Sequence, residues 1–250
     1  MTTQTPPPSG WAKPVEKLKV GEISKEAINL NVEGRQLSGL THGFGQLWQK
    51  TYRVRLSGAD PVCTPEYVVK EWKAQFPRFW PKGNNLYVPL TGIQPGEVGV
   101  INLSAPGGMK LSTGIMVIYT DDTSFAFMTP EGHMFAGMIT FSAYEEEGTT
   151  VVQIQALIRA NDPLYEVSFR LGFGHKAEDE FWHGTLSNLS KHFCVNAPHP
   201  TQTNSLIDPR MQWKEWSNIW HNAGIRSGMY MPVAMVKRVF GKKWNVRHEA

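Results

Sequence analysis

One histidine, His133, lies where the sequence could place an acid or a base. It follows Gly132 in the stretch FAFMTPEGHMFAGMITF, residues 125–141, in which two alternating apolar segments flank a short polar connection. A neutral imidazole can exchange a proton near neutral pH, so His133 is a candidate general acid or base. It can equally bond the backbone of a turn that Gly132 permits through a positive φ. The sequence leaves both roles open.

A second set of polar side chains interrupts an apolar helical stripe nearer the C-terminus. His175, Glu178 and Asp179 fall on the stripe that Leu186 and Leu189 continue. A charge on a buried stripe costs several kcal/mol unless it is paired or hydrated, and a cavity would hydrate it. The three side chains are therefore candidates for proton transfer at a cavity. Alternatively, two glycines just before them change the helical phase and turn all three towards solvent.

The same helix carries a spacing that a metal ion could use. His175, Asp179 and His183 are each four residues apart, so they lie on one helical face. No further ligand completes the shell, and the two cysteines, Cys63 and Cys194, match no metal-binding spacing. The sequence also has no phosphate-binding glycine loop, Gly-x-Ser-x-Gly elbow or His-Glu-x-x-His motif. We therefore expect neither a metal nor a cofactor.

Methionine is concentrated in the middle of the chain. Five of the ten methionines are Met109, Met116, Met128, Met134 and Met138. The flexible thioether adapts to irregular apolar ligands, although it also fills gaps in ordinary cores. We expect a pocket for an apolar ligand in this region. Its candidate ligand-binding residues are Met116, Met128, Met138, Phe127, Arg159, Leu171 and Trp182.

Arg159 stands just before the predicted C-terminal helix. It could bind a carboxylate or another anionic group at one end of the pocket. It could instead pair with Asp162 or Glu166 as a structural corner of the fold. Asp162, which precedes Pro163, has the residue type and position of a helix N-cap. Both roles of Arg159 stay open.

Strands and one early helix must position these side chains. Residues 51–57 alternate as a strand should, and Thr64 followed by Pro65 is typical of a helix start. Pro77 would end that helix. Short turn sequences then separate a series of strands, which indicates antiparallel hairpins. The predicted strands are 85–90, 98–104, 110–120, 124–129, 136–146 and 149–160.

A long helix closes the predicted domain. After Pro163 the apolar period becomes helical, and Gly172 and Gly174 could kink or split the helix. This order predicts an α+β protein of the helix-grip type, a curved antiparallel β-sheet wrapped around a long C-terminal helix. Such a sheet cannot fill its own concave face, so a cavity beneath the helix is common. The predicted divisions are a Pro-rich N-terminal arm at 1–49 that is mobile over 1–20, the helix-grip domain at 50–195, and a basic aromatic C-terminal extension at 196–250.

The hairpin around His133 resembles a known family. The residues that carry the resemblance are Phe127, Thr129, Gly132, His133, Gly137 and Phe141, followed by IQALIRANDPL at 154–164. They are similar to the aromatic-Gly-Thr-x-Pro-Gly-His turn of the DUF1990 branch of the START-like (SRPBCC, Bet v 1-type) superfamily. The resemblance covers residues 50–195 and implies the helix-grip fold with a hydrophobic ligand cavity. That superfamily includes lipid and hormone binders, polyketide cyclases and oxygenase domains, so the resemblance implies no single reaction.

Composition and charge limit the classes of protein. With 41% hydrophobic and 19% charged residues, the chain is ordinary for a globular protein. No apolar run approaches the roughly 18 residues of a membrane span, and no secretory signal is visible, so we predict a cytoplasmic protein with reduced thiols. The net charge is +3, but from Ser205 onward eight Lys/Arg face three acids. This asymmetry indicates a distinct C-terminal segment and not a nucleic-acid-binding core.

The C-terminal segment contains an aromatic stripe. Trp213, Trp216 and Trp220 are spaced as one face of a helix, and a segment that mixes apolar and basic residues follows. Such a stripe docks on its own domain or on a partner subunit, where it would act as a lid or as the arm of a homodimer. It could instead lie on a membrane surface as a peripheral contact.

The leading functional prediction is the binding of a hydrophobic small molecule, such as a lipid, isoprenoid or polyketide-like ligand, between the sheet and the long helix. A cyclase, dehydratase or isomerase that uses the same cavity is the first alternative. Its proton-transfer residues would be His133, His175, Glu178 or Asp179, and Arg159 would orient an anionic group. A protein that acts on a membrane surface or a partner through its C-terminal extension is the second alternative. Whether the chain is an enzyme stays open.

Overall fold

Eight antiparallel strands form one curved sheet, in the order β2-β3-β4-β5-β6-β7-β1-β8. The structure is a computed structural model that describes residues 10–57, 63–104, 110–193 and 199–230. The strands are β1 (Leu47–Arg55), β2 (Asn85–Tyr87), β3 (Val98–Ser104), β4 (Lys110–Thr120), β5 (Ser124–Met128), β6 (Phe135–Glu146), β7 (Thr149–Ala160) and β8 (Thr201–Asp208). Strands β2 to β7 form a meander in chain order, and β1 closes it by pairing with β7. The antiparallel meander predicted from the turn residues is confirmed.

Helices cover one face and one end of this sheet. They are α1 (Pro65–Ala74), a 3₁₀ turn (Phe76–Phe79), α2 (Pro163–Arg170), α3 (Phe173–Phe193), a 3₁₀ helix (Trp213–His221) and the helical residues 223–230. The helix α3 packs against β1 and the 3₁₀ turn. The α+β class and the helix-grip arrangement are confirmed. Among the described residues, no helix is long and apolar enough to span a bilayer.

Local sequence explains where α1 and α2 begin. The Thr64 hydroxyl accepts a hydrogen bond from the Tyr67 amide at 3.3 Å, and the carboxylate of Asp162 accepts from the Leu164 and Tyr165 amides at 2.9 and 3.1 Å. These bonds satisfy amides that have no partner inside the helix. Each cap is followed by a proline at the first helical turn, whose fixed φ suits that position. Both predicted N-caps are present.

The predicted long helix is two helices. Gly172, at φ +83°, follows α2 in a left-handed conformation that L-residues with a Cβ rarely adopt. The helical axis therefore changes between α2 and α3. Gly174 then allows Phe169 to pack closely, since a Cβ at position 174 would lie within 2.0 Å of two carbon atoms of its ring. The split at these glycines separates an exposed α2 from an α3 that covers the sheet.

An aromatic core fills one end of the space between sheet and helices. Phe125 and Phe141 stack at 4.8 Å on neighbouring strands, and Trp72 of α1 meets both rings edge-on. Phe76 contacts the same cluster. Such aromatic pairs each add about 0.5–1.5 kcal/mol beyond their buried area. These rings pack this end of the concave face.

The opposite face of the sheet is covered by the N-terminal segment. Leu18 and Val32 are fully buried against Val98, Val100 and Met116. The prediction of a mobile segment over 1–20 is wrong for the part from residue 10 onward, because its apolar side chains close a second core. Residues 1–9, Met109, Cys194 and the terminal segment 231–250 lie outside the described residues.

A strand that the sequence analysis missed extends the sheet. β8 (Thr201–Asp208) pairs antiparallel with β1 and forms the edge of the sheet. Most of its side chains are exposed, so it lacks the apolar alternation that identifies a half-buried strand. The predicted C-terminal extension at 196–250 therefore contributes a strand to the domain. Likewise, the predicted boundary at residue 50 falls inside β1.

Candidate functional site

A cavity of about 340 Å³ lies between α3 and the concave face of the sheet, beyond the aromatic core. The sheet contributes Ile101, Leu103, Leu111, Ile115, Phe127, Gly137, Ile139, Ala156 and Ile158 to its wall. The helix α3 contributes Ala177, Glu178, Phe181 and Trp182. The walls are chiefly aliphatic and aromatic, and the volume falls within the roughly 300–1,000 Å³ of small-molecule pockets. The space is therefore suited to a compact apolar molecule.

His133 borders this cavity from the turn between β5 and β6. The imidazole is buried, and its Nδ1 atom lies 3.0 Å from the Phe135 amide nitrogen and 3.2 Å from the Phe135 carbonyl oxygen. An amide nitrogen can only donate, so the shorter contact requires a lone pair on Nδ1. Burial lowers the pKa of His133 to about 4, so the ring is neutral at pH 7 and carries its hydrogen on Nε2. His133 thus anchors the turn and offers one donor.

Gly132 explains why this turn forms. Its φ is +82°, and a Cβ there would collide with the carbonyl group of His221. The Ala223 amide also donates to the Gly132 carbonyl at 2.8 Å. Glycine at position 132 therefore allows both the turn and the close approach of the C-terminal segment.

Glu178 reaches the cavity from α3 and is buried beside a buried lysine. Its Oε2 atom lies 2.9 Å from Lys50 Nζ. Burial raises the pKa of Glu178 to about 7, against the opposing effect of Lys50. Near neutral pH this carboxyl group is therefore divided between its neutral and charged forms. A group with this property in an apolar cavity can act as an acid or as a base.

Asp179 competes with Glu178 for the same lysine. Its Oδ1 atom lies 2.6 Å from Lys50 Nζ and accepts a hydrogen bond from the Tyr52 hydroxyl at 2.7 Å. Although burial acts in the opposite direction, these two bonds keep the pKa of Asp179 below its usual range. Burial and the two neighbouring carboxylates raise the pKa of Tyr52. Lys50 thus forms ion pairs with two carboxylates. Asp179 is the more acidic of the two, because its pKa is lowered whereas that of Glu178 is raised.

The structure separates the four predicted proton-transfer residues into two groups. His133 and Glu178 line the cavity, whereas His175 and Asp179 do not. The ring of His175 lies between Phe169 at 5.2 Å and Trp48 at 5.1 Å. Burial lowers the pKa of His175 to about 4. Neither His175 nor Asp179 borders this cavity, so the cavity gives no support for their predicted catalytic roles.

Arg159 is a structural corner, with partners other than those expected. Its guanidinium donates to Asp208 of β8 at 2.8 Å and to the backbone carbonyls of Gly45 and Arg210 at 2.7 and 2.9 Å. The side chain is buried and does not line the cavity. The expected pairing with Asp162 or Glu166 is therefore wrong, and an anion-orienting role for Arg159 has no support from this cavity.

Several predicted ligand-binding residues lie elsewhere. Met116 is buried in the core under the N-terminal segment, and Met128 pairs with it across β4 and β5 on that same face. Leu171 is exposed at the end of α2. These three residues do not line the cavity, whereas Phe127 and Trp182 do. Met138 borders the cavity between Gly137 and Ile139, but it lies opposite Met128 and so its side chain shares the other face of the sheet. A strand alternates faces at every residue, so the concentration of methionines in the sequence did not show which face they occupy.

Two side chains near the cavity were not identified from the sequence. Lys50 alternates with Tyr52 and Val54 on the inward face of β1, and this alternation is the signal that could have revealed it. Trp80 lines the cavity next to the 3₁₀ turn, and its indole N–H has no hydrogen-bond partner among the described residues. No sequence signal distinguishes this tryptophan from an ordinary core residue. No group of three or more His, Cys, Asp or Glu in the described part of the chain is arranged to hold a metal ion.

Comparisons with known proteins give no family for this chain. No protein-family model and no curated protein matches the chain. Solved structures similar to it include the di-domain ARO/CYC StfQ from the steffimycin biosynthetic pathway, at 12% identity and a TM-score of 0.45 over 60% of this chain and 51% of that one. The chain thus spans about half the length of StfQ. A protein from Nitrosomonas europaea is 15% identical, with a TM-score of 0.40, over 57% of this chain and 92% of its own.

Ara h 8.0201 is similar at 12% identity over 59% of this chain and 99% of its own, with a TM-score of 0.40. At these identities the likeness concerns the fold and carries nothing about a ligand or a reaction. The helix-grip architecture rests on the strand order of the chain itself and on the position of α3 over the sheet.

Proposed function

We propose that this protein binds a compact hydrophobic molecule in the cavity between the sheet and α3. The observation that carries the proposal is the cavity itself, which lies next to a closely packed aromatic core under the same sheet. An apolar cavity of this size gains affinity from any apolar molecule that fills it, because each buried CH₂ group contributes about 0.8 kcal/mol. A lipid, isoprenoid or polyketide-like ligand of modest size would meet this requirement.

The polar groups at the cavity restrict the chemistry of the ligand. The Nε2–H of His133 is a donor, Trp80 has an indole N–H without a partner among the described residues, and Glu178 presents a carboxyl oxygen. Unpaired polar groups in an apolar site favour a ligand that satisfies them. The ligand we propose is therefore apolar over most of its surface and carries a carbonyl or hydroxyl group.

Mass spectrometry of the purified chain tests the binding proposal. We expect a noncovalent adduct in a native spectrum, and we expect the released molecule to be soluble in organic solvent. Removal of the adduct should lower the midpoint of thermal unfolding, because a ligand that binds only the folded state stabilises it. A bare chain in the native spectrum, together with no shift of that midpoint by any apolar additive, would contradict the proposal.

Proton-transfer catalysis in the same cavity is the second candidate function. The observation that favours it is Glu178, whose pKa of about 7 lets the carboxyl group donate or accept a proton at neutral pH. With the ligand identified, Glu178→Gln should lower its conversion by about 10²–10⁴-fold and leave its dissociation constant nearly unchanged. Glu180→Gln, on the exposed side of the same helix, is the matched control. An unchanged rate in Glu178→Gln would leave binding as the function.

The pKa of Glu178 also predicts how stability depends on pH. Its ordinary value is 4.5, so between about pH 4.5 and pH 7 the folded chain keeps a proton that the unfolded chain has released. The stabilisation linked to this proton is fully present below about pH 4.5 and is lost as the pH rises through 7.

Relative to Glu178→Gln, the wild-type chain should lose about 3 kcal/mol of unfolding free energy between pH 4.5 and pH 8. Urea denaturation of both chains at the two pH values measures this difference. Comparison of the two chains removes the opposite contribution of His133 and His175, whose lowered pKa values add stability as the pH rises. Parallel pH profiles for the two chains would show that Glu178 is ionised normally.

Two finer assignments remain proposals. The turn residues from Thr129 to His133 support a place in the DUF1990-like branch of the START-like superfamily. A cytoplasmic location is proposed from the sequence pattern alone.

A further inference from the structure

Three tryptophans are exposed on the 3₁₀ helix Trp213–His221. The exposed fractions are 66% for Trp213, 55% for Trp216 and 72% for Trp220. The expected docking of this stripe on its own domain is therefore wrong for most of its surface, although Trp213 touches Phe44 edge-on at 5.2 Å. Exposed indoles lose favourable burial unless another surface covers them.

The neighbouring helix α2 exposes an apolar stripe of its own. Leu164, Val167 and Leu171 are spaced as one helical face, and all three are exposed. The helix α2 packs against the 3₁₀ helix, and hydrogen bonds from Asn222 to Asp162 and from Gly224 to Tyr165 join the two segments. We call the six exposed apolar side chains the tryptophan face: Leu164, Val167, Leu171, Trp213, Trp216 and Trp220. All six side chains are apolar, exposed and carried by two elements that contact each other.

Ion pairs on these two elements, and one at Arg210 just before the 3₁₀ helix, expose the cation more than the carboxylate. Arg170 is 51% exposed while its partner Glu166 is 6% exposed, and Lys214 is 70% exposed while Glu215 is 18% exposed. The Arg210 side chain is likewise 86% exposed, whereas that of its partner Asp208 is 19% exposed. The cations of these pairs are therefore more accessible to an approaching partner than the carboxylates.

The sequence that follows is also basic. Residues 231–250 contain five Lys/Arg and one acid, which gives a charge of +4. Tryptophan prefers the interface between water and the acyl chains of a bilayer, and nearby Lys and Arg attract anionic headgroups. Apolar side chains with flanking cations are the combination that binds such a surface without spanning it.

We propose that the tryptophan face docks this protein on the surface of an anionic lipid bilayer. The three indoles and the α2 stripe insert at the headgroup level, while Arg170, Arg210 and Lys214 contact the lipid phosphates. This inference is independent of the ligand cavity, since none of the six apolar residues of the tryptophan face borders it.

Flotation of the full chain with vesicles tests the proposal. We expect binding to vesicles of phosphatidylcholine mixed with phosphatidylglycerol, and about tenfold weaker binding to phosphatidylcholine alone or in high salt. Trp216→Ser/Trp220→Ser and, separately, Leu164→Gln/Leu171→Gln should each weaken binding to anionic vesicles by about tenfold or more. Leu90→Ser, at an exposed leucine outside the tryptophan face, is the matched control and should bind normally. Circular dichroism melts verify that each variant is folded.

Three results would overturn the proposal. The first is no binding of the full chain to anionic vesicles. The second is equal binding by the Leu90→Ser control and both double variants, which would assign the affinity to residues 231–250 alone. The third is a dimer in light scattering that becomes a monomer in Trp216→Ser/Trp220→Ser, which would make the tryptophan face an interface between two copies of the chain.

Discussion

Replacing Lys50 with methionine is expected to lower the free energy of unfolding by about 3–5 kcal/mol at pH 8. Lys50 is 1% exposed and is the only cation within 4.0 Å of Glu178 and Asp179 in the described part of the chain. Its loss leaves two carboxylates close together in a poorly solvated site. At pH 5 the loss should be smaller, because Glu178 then takes up a proton and removes one of the two charges.

Urea denaturation at both pH values measures this effect. Arg53→Met is the matched control, since Arg53 is an exposed cation on the same strand whose side chain donates a hydrogen bond to Gln153. We expect that control to change stability by less than about 0.5 kcal/mol. The double variant Lys50→Met/Glu178→Gln should be more stable than the sum of the single effects predicts, because the second change removes the unpaired charge. Additive effects at both pH values would refute the shared-cation network.

Replacing Ala177 with tryptophan is expected to weaken binding of an apolar fluorescent probe by about tenfold or more. Ala177 borders the cavity from α3, yet it is exposed, so it stands at the rim of the cavity. An indole at this position covers the opening without replacing a core side chain. The probe N-phenyl-1-naphthylamine is suitable, because its fluorescence rises in apolar surroundings and it carries no charge.

The control for this variant is Lys176→Trp. It adds the same indole to the same helix at the neighbouring, solvent-facing position. We expect wild-type affinity in this control and thermal midpoints close to the wild-type value in both variants. Equal loss of affinity in the two variants, or no loss in either, would show that the probe binds outside the cavity.

The fold was largely readable from the sequence because each strand of the meander carries its own turn signal and apolar pattern. The strand β8 was not predicted, because TQTNSLID lies at the edge of the sheet. It has no buried face, so its sequence shows no alternation of apolar and polar residues. The packing of residues 10–46 on the other face of the sheet was not predicted either. Leu18 and Val32 are isolated apolar positions in a segment without regular structure, so no periodicity identifies them.

Only part of the candidate site could be predicted from the sequence. Glu178 was predicted because a charge on an apolar helical stripe needs an explanation, and the structure provides the cavity and Lys50. The partner of Arg159 could not be predicted, since Asp208 lies on a strand that only the folded sheet brings near. The neutral state of His133 could not be predicted either, because it depends on burial by distant residues.

The most direct test of the central claim is a crystal structure of the chain soaked with N-phenyl-1-naphthylamine. We predict one molecule beneath α3, in contact with Phe127, Ile139 and Trp182, with the surrounding backbone unchanged. Density for the probe only on the exposed tryptophans, with side chains filling the space beneath α3, would contradict the proposed binding cavity.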